Sequence, residues 1–165
     1  MRPEEFTEVV GHLVSEHAAE ISANYDVDIA RARLQAENDL DDDLELGLDT
    51  PGHHQLSVVT DELGTDQTIG VLWCKPETTG PSVFTNDFYI KPPRRGHRHA
   101  KRALDALQTM FQDAGYSELR LRVAADSEIA QRLYLTTGFR VTGINMKKSI
   151  WPQLNERSSA CAPMK

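Results

Sequence analysis

Between residues 83 and 125 the apolar pattern changes period twice, and this constrains the fold more than any other feature of the chain. "VFTNDFYI" (83–90) is rich in β-branched and aromatic residues with a period of two, which predicts a strand. Ala100, Ala103, Leu104, Leu107, Met110 and Phe111 then recur at three- and four-residue spacing. That spacing predicts an amphipathic helix from about His99 to Ala114, stopped at Gly115. "SELRLRVAA" (117–125) returns to the strand pattern. Strand, helix and strand form a β-α-β unit, whose two strands are parallel and joined by a right-handed crossover.

The flanking segments supply the other layers. Phe6, Val9, Val10, Leu13, Val14, Ala18 and Ile21 make one stripe of a helix over residues 3–23. "NYD" breaks it, and Asp26 is placed to cap a second helix running to about Leu40. "LGLDTPG" reads as loop. "HQLSVVT" (54–60) and "TIGVLWCK" (68–75) flank the turn "DELGTDQ" as an antiparallel hairpin. "DSEIAQRLYLTTG" (126–138) has the Asp/Ser start and Gly stop of a helix, and "FRVTGINMKKSI" (139–150) reads as one or two closing strands. The expected architecture is a mixed sheet with helices on its faces, an α/β or α+β fold. The chain reads as a single domain over residues 1–150, followed by an aperiodic tail at 151–165.

Charge is distributed unevenly. The 165 residues carry a net charge of -7, yet "KPPRRGHRHAKR" (91–102) holds six Lys/Arg and no acid. "NDLDDDLELGLD" (38–49) is the opposite, with six carboxylates and no base, and reads first as a solvated acidic surface. An acidic chain whose basic run has no interleaved aromatics argues against a nucleic-acid partner. No apolar stretch is long enough for a membrane span, and "MRPEEFTEVV" lacks the basic and apolar regions of a signal peptide, so the expected location is cytoplasmic. Cys74 and Cys161 form no CxxC pair, and the six histidines show neither HxxxH nor HExxH spacing, so no metal is expected.

The basic run lies between a strand and a helix start. A helix start offers unpaired N–H groups and partial positive charge, a ready anion site. Gly96 lets the backbone turn closely, and Arg95, Arg98, Lys101 and Arg102 surround it with positive charge. The favoured ligand is a phosphate, and in particular a pyrophosphate spanning several amides. Neither GxxxxGK[ST] nor GxGxxG is present, which sets aside the P-loop and the dinucleotide turn.

"YIKPPRRGHRHAKRALDAL" resembles the acyl-CoA-binding motif of the GNAT superfamily of N-acetyltransferases, V-x-P-x-x-[RQ]-G-x-G-x-[GA]. Ile90, Pro92, Arg95, Gly96 and Ala100 stand at its positions. "SEIAQRLYLTTGF" (127–139) resembles the second motif, N-x-x-A-x-x-L-Y-x-x-x-G-F, through Ala130, Leu133, Tyr134, Gly138 and Phe139. "LDTPGHHQLSVV", "IGVLWC" and "INMKK" are similar to one group of bacterial members, so the resemblance spans roughly residues 48–148. Two positions depart from the pattern. Arg98 replaces the central Gly of the loop, as a large residue does in some members, and Ser127 replaces the usual Asn.

The resemblance implies a mostly antiparallel sheet with one parallel pair and helices on both faces. It implies acetyl-CoA as co-substrate, with no metal, and direct acetyl transfer to a primary amine of a small molecule or peptide. Phe88, Tyr89 and Ile90 would hold the pantetheine arm through their backbone, at a bulge that splays this strand from the next parallel one. The turn made by Arg95, Gly96, His97, Arg98, His99, Ala100 and Lys101 would hold the pyrophosphate, with Ser127 an additional contact. Tyr134 stands at the family position of the general acid. A phenol with pKa about 10 is protonated at neutral pH and can donate to a departing thiolate. Asp87, on the same strand face as Tyr89, reads first as a capping or turn-stabilising residue; its alternative is a base or amine-orienting carboxylate, a role a water chain could also fill. His53 and His54 adjoin a strand and read first as ordinary strand-end residues. The alternative is a catalytically silent acyl-CoA-binding or interaction module of the same fold. Monomer and homodimer both remain open.

Overall fold

The structure, a computed structural model, describes residues 1–148 apart from Leu63. The element order is α1 (Pro3–Tyr25), α2 (Ile29–Asp43), β1 (His54–Glu62), β2 (Thr65–Pro76), β3 (Ser82–Ile90), α3 (His99–Asp113), β4 (Glu118–Leu121) and α4 (Glu128–Thr136). The four strands lie side by side in chain order. β1–β2 and β2–β3 pair antiparallel, and β3–β4 pair parallel across the α3 crossover. This is the mixed sheet that the changes of period implied, mostly antiparallel as the resemblance implied. None of the described helices is long and apolar enough to cross a membrane.

Alternation along β2 divides the core between two faces. Trp73 joins Leu13, Val14, Ala18 and Ile21 of α1 and Ala32, Ala36 and Leu40 of α2. Leu72 and Cys74 point the other way and join Val83, Leu107 and Phe111, which brings in α3. Ala32 and Ala36 are fully buried and small, which lets α2 approach α1 closely. Glu5 pins the start of α1 to the sheet. It accepts hydrogen bonds from the Arg2 backbone (2.9 Å), Ser57 on β1 (3.1 Å) and Thr68 on β2 (2.7 Å). The Arg2 side chain first, then these other donors, hold its carboxyl well below the usual carboxylate range.

Three expectations change. Asp26 does not cap the second helix: with φ +55° it ends α1, and Asp28 caps α2 by accepting from the Ala30 amide at 2.9 Å. β4 covers only Glu118–Leu121, not residues 117–125, because β3 turns away from it beyond Thr85. No strand forms over residues 139–148. Val141, Ile144 and Met146 are exposed there, spaced by three and then two, so no single face would be apolar. The remainder of that segment, and the tail at 151–165, lie outside the described residues.

Candidate active site

The site begins at a flaw in the sheet. The β2–β3 register slips between Trp73 and Cys74, leaving Asn86 without an opposite residue, a β-bulge. Parallel pairing between β3 and β4 runs only from Ser82↔Glu118 to Thr85↔Leu121. Beyond the bulge β3 stays with β2 as far as Ile90↔Gly70 but has no ladder partner on β4. The strands therefore part into a cleft, and residues 86–90 form one wall. Gly70 keeps that wall close to β2: a Cβ there would overlap the Tyr89 carbonyl and come within 2.9 Å of Ile90 Cδ1. Sequence reasoning missed Gly70, although an isolated Gly inside a strand pattern marks close backbone approach.

Asp87 and Tyr89 face α1, opposite Trp73 and Val71, while Phe88 faces α3 opposite Leu72. Asp87 Oδ2 is buried and has no hydrogen-bond partner. Burial first, and then the neighbouring Glu16 charge, push its carboxyl up to about 6, with the Phe88 amide opposing. Tyr134 projects from α4 and is half-buried, its ring edge-on to Phe139 at 5.4 Å. Gly138, with φ +95°, turns the chain so that Phe139 folds back and its amide donates to the Tyr134 carbonyl at 3.0 Å. This gives the Gly-Phe ending of the motif a physical role. Burial first, and then the Asp87 charge, push the Tyr134 hydroxyl up to about 12. The two candidate catalytic residues thus come from different elements, and the charge of Asp87 acts on the Tyr134 hydroxyl.

The basic turn lies at the end of the same wall. Gly96 (φ +82°) and Arg98 (φ +62°) both take left-handed backbone conformations, and Arg98 is the N-cap of α3. The first helical bond runs from the Arg102 amide to the Arg98 carbonyl at 3.1 Å, so the amides of Ala100 and Lys101 lie in the open first turn. His97, Arg98, Lys101 and Arg102 are exposed, while His99 is buried. Arg95 reaches back instead of outward. Its Nε donates to the Ile90 carbonyl at 2.8 Å, and its guanidinium lies 5.5 Å from the centre of the Tyr89 ring. Ser127 is the N-cap of α4, and its hydroxyl makes no capping bond. Gln131, not foreseen, clamps the entry to α4 by donating to the carbonyls of Ala124 and Ala125, both at 2.9 Å.

His53 and His54 are structural. Trp73 Nε1 donates to His53 Nδ1 at 3.0 Å, and His54 meets the edge of Phe111 at 5.8 Å. Cys74 is buried against Thr85, and burial pushes its thiol up to about 11, away from the thiolate that a nucleophile requires. Among the described residues no three His, Cys, Asp or Glu side chains converge on a metal position.

A parallel pair parted beside a bulge, a glycine-bearing helix start at one end and a Tyr on the facing helix can be compared with known proteins. The sequence profile of the acetyltransferase (GNAT) family matches residues 21–139. The chain belongs to the GNAT family. It is 36% identical over 121 residues to the uncharacterized N-acetyltransferase YycN of Bacillus subtilis, covering 72% of this chain and 76% of that one. The crystal structure of YycN superposes with a TM-score of 0.83 at 32% identity, over 92% of this chain and 96% of that one. The PaiA N-acetyltransferase of Thermoplasma acidophilum, solved with coenzyme A, shares the fold at 17% identity, with a TM-score of 0.62 over 88% of this chain and 89% of that one.

Proposed function

We propose that this protein transfers an acetyl group from acetyl-CoA to a primary amine by direct attack within a ternary complex. The observation that carries this reading is a buried, unpartnered Asp87 carboxylate just beyond the bulge, near enough for its charge to act on the Tyr134 hydroxyl. The coenzyme A complex of the PaiA relative supports the choice of donor. The backbone of Phe88, Tyr89 and Ile90 borders the pantetheine path, and the 95–101 turn receives the pyrophosphate.

An alkylamine with pKa about 10.4 arrives charged and must lose a proton before it can attack. Asp87 is ionised above about pH 6; it orients the ammonium and takes that proton, directly or through water, passing it to solvent. The free amine nitrogen attacks the thioester carbonyl carbon, a C–N bond forms and the C–S bond breaks. Tyr134 gives its hydroxyl proton to the departing sulfur. Its oxygen regains a proton from the acylated nitrogen, closing the balance at amide, free thiol and one proton released.

A thiol-release assay over a panel of amines tests this reading. Turnover is expected with kcat/KM falling as pH drops through about 6, where Asp87 becomes protonated. Tyr134 stays protonated across the working range, so it imposes no basic limb. Tyr134→Phe should lower kcat by about 10²–10⁴-fold, the range for a lost general acid. If acetyl-CoA binds but no amine is turned over, the silent-module reading takes its place.

A further inference from the structure

α1 carries Glu8, His12, Glu16 and Glu20 at a spacing of four, one stripe along the helix. The partners of this stripe trace the cleft. Glu8 lies 3.5 Å from Lys91 Nζ, just past the end of β3. The His12 ring lies 3.7 Å from that of Tyr89. Glu16 is close enough to Asp87 to raise its pKa. Glu20 accepts from Arg122, just past the end of β4, at 2.8 Å. α1 therefore crosses from the end of β3 to the end of β4, over the opening where the two strands part. Glu8 and Glu20 are matched by cations of the chain, whereas no hydrogen bond or ion pair joins Glu16 to another described residue. Asp87 Oδ2 deeper in the cleft is unpartnered as well.

We propose that Glu16 is the specificity-determining residue for the acceptor, favouring an amine that arrives as an alkylammonium over a weakly basic arylamine, and acting on the reacting nitrogen through Asp87. This inference rests on the acetyltransferase reading above. Glu16 is exposed at the rim, where it attracts a cation, and Asp87 receives the ammonium at depth. Burial lowers the pKa of His12 beside them, with Glu16 opposing and Arg95 adding to the effect. The groups facing Asp87 are Glu16 from α1, Tyr134 from α4, Trp73 from β2 and the Phe88 amide of its own strand. Among them Glu16 is the charge that raises Asp87, so removing it lets the Asp87 carboxyl ionise at lower pH.

Kinetics of Glu16→Gln test the proposal on the intact chain. Glu16 is exposed on a helix surface, so the variant should fold and bind acetyl-CoA as the parent does. With an alkylamine at pH 7.5 and low salt, kcat/KM should fall about tenfold, mainly through KM, the gap narrowing at high salt. With an arylamine uncharged at that pH it should not change. The acidic limb of kcat/KM should move to lower pH, a shift that a purely structural role would not produce. Glu16→Asp should restore most of the activity. If the parent turns over amines and Glu16→Gln alters neither KM nor the limb, the proposal is overturned while the acetyltransferase reading stands. A parent that prefers arylamines overturns the proposal alone. A parent that binds acetyl-CoA and acetylates nothing overturns both.

Discussion

Arg98 occupies a backbone conformation, φ +62°, for which the family motif supplies glycine. A left-handed conformation costs a non-glycine residue on the order of 1 kcal/mol, because Cβ crowds the carbonyl that follows. The glycine in the motif therefore reflects geometry, and the arginine holds that geometry at a cost. Its exposed guanidinium at the helix start offers a charge in exchange. Arg98→Gly should raise stability by about 1 kcal/mol in denaturant titration. It should also weaken acetyl-CoA binding by about three- to tenfold in calorimetry, the worth of one charge-assisted contact, and flatten its salt dependence. Unchanged affinity would mean that the backbone amides hold the phosphate alone. The motif positions were legible because each answers a local demand: Gly96 a turn, Gly138 a fold-back, Tyr134 a helix face. Glu16 and His12 were not, because a polar residue on an amphipathic helix reads as solvated until the strand it crosses is known.

At the scale of elements, the β-α-β unit was legible because its signal is periodic and local. Helix α3 buries Leu104, Leu107 and Phe111, the same residues that set its period. Burying each is worth roughly 2 kcal/mol, so the periodic face also fixes where the helix docks. The resemblance implied a bulge on this strand, but its place at Asn86 was not legible, since it is a relation between β3 and β2 and not a property of either. The expected closing strands failed for a similar reason: extended propensity at 139–148 does not make a strand where the apolar residues are split between two faces. Gly70 is the element-scale counterpart of Arg98. Gly70→Ala must push the second half of β3 away from β2 or strain it, since the obstacle is backbone, the Tyr89 carbonyl. A loss of about 1–3 kcal/mol in thermal or urea unfolding is expected, the usual range for overpacking. Acetyl-CoA affinity should fall with it, because the displaced residues are those proposed to border the pantetheine path. A variant as stable as the parent would show that β3 shifts freely, contrary to the packing seen here.

Across the whole molecule, two carboxylates contribute to stability with opposite signs. Glu5 ties α1 to β1 and β2 and has a depressed pKa, so its contribution is present above an unfolded value of about 4.3 and is lost as acid protonates the folded form. Asp87 has a raised pKa of about 6 against roughly 3.9 for an unfolded chain, so the folded state carries a cost once Asp87 ionises. Below about pH 4 both states are protonated and the cost vanishes; it grows between pH 4 and 6 and stays constant above. The difference of about two pKa units corresponds to a few kcal/mol at most, and partial access of water reduces it. Asp87→Asn removes this cost. Its melting temperature should exceed that of the parent above pH 6, with the advantage fading to nothing below pH 4, while turnover is lost at every pH. Glu5→Gln should show the reverse pattern, less stable than the parent at neutral pH and converging with it only in strong acid. Parallel unfolding curves of the parent and both variants from pH 3 to 8 separate the two contributions. If Asp87→Asn is no more stable at pH 8 than at pH 4, relative to the parent, the buried carboxylate costs the fold nothing. A stabilised but inactive Asp87→Asn would mean that the fold carries an ionised group in its cleft because the chemistry there needs one.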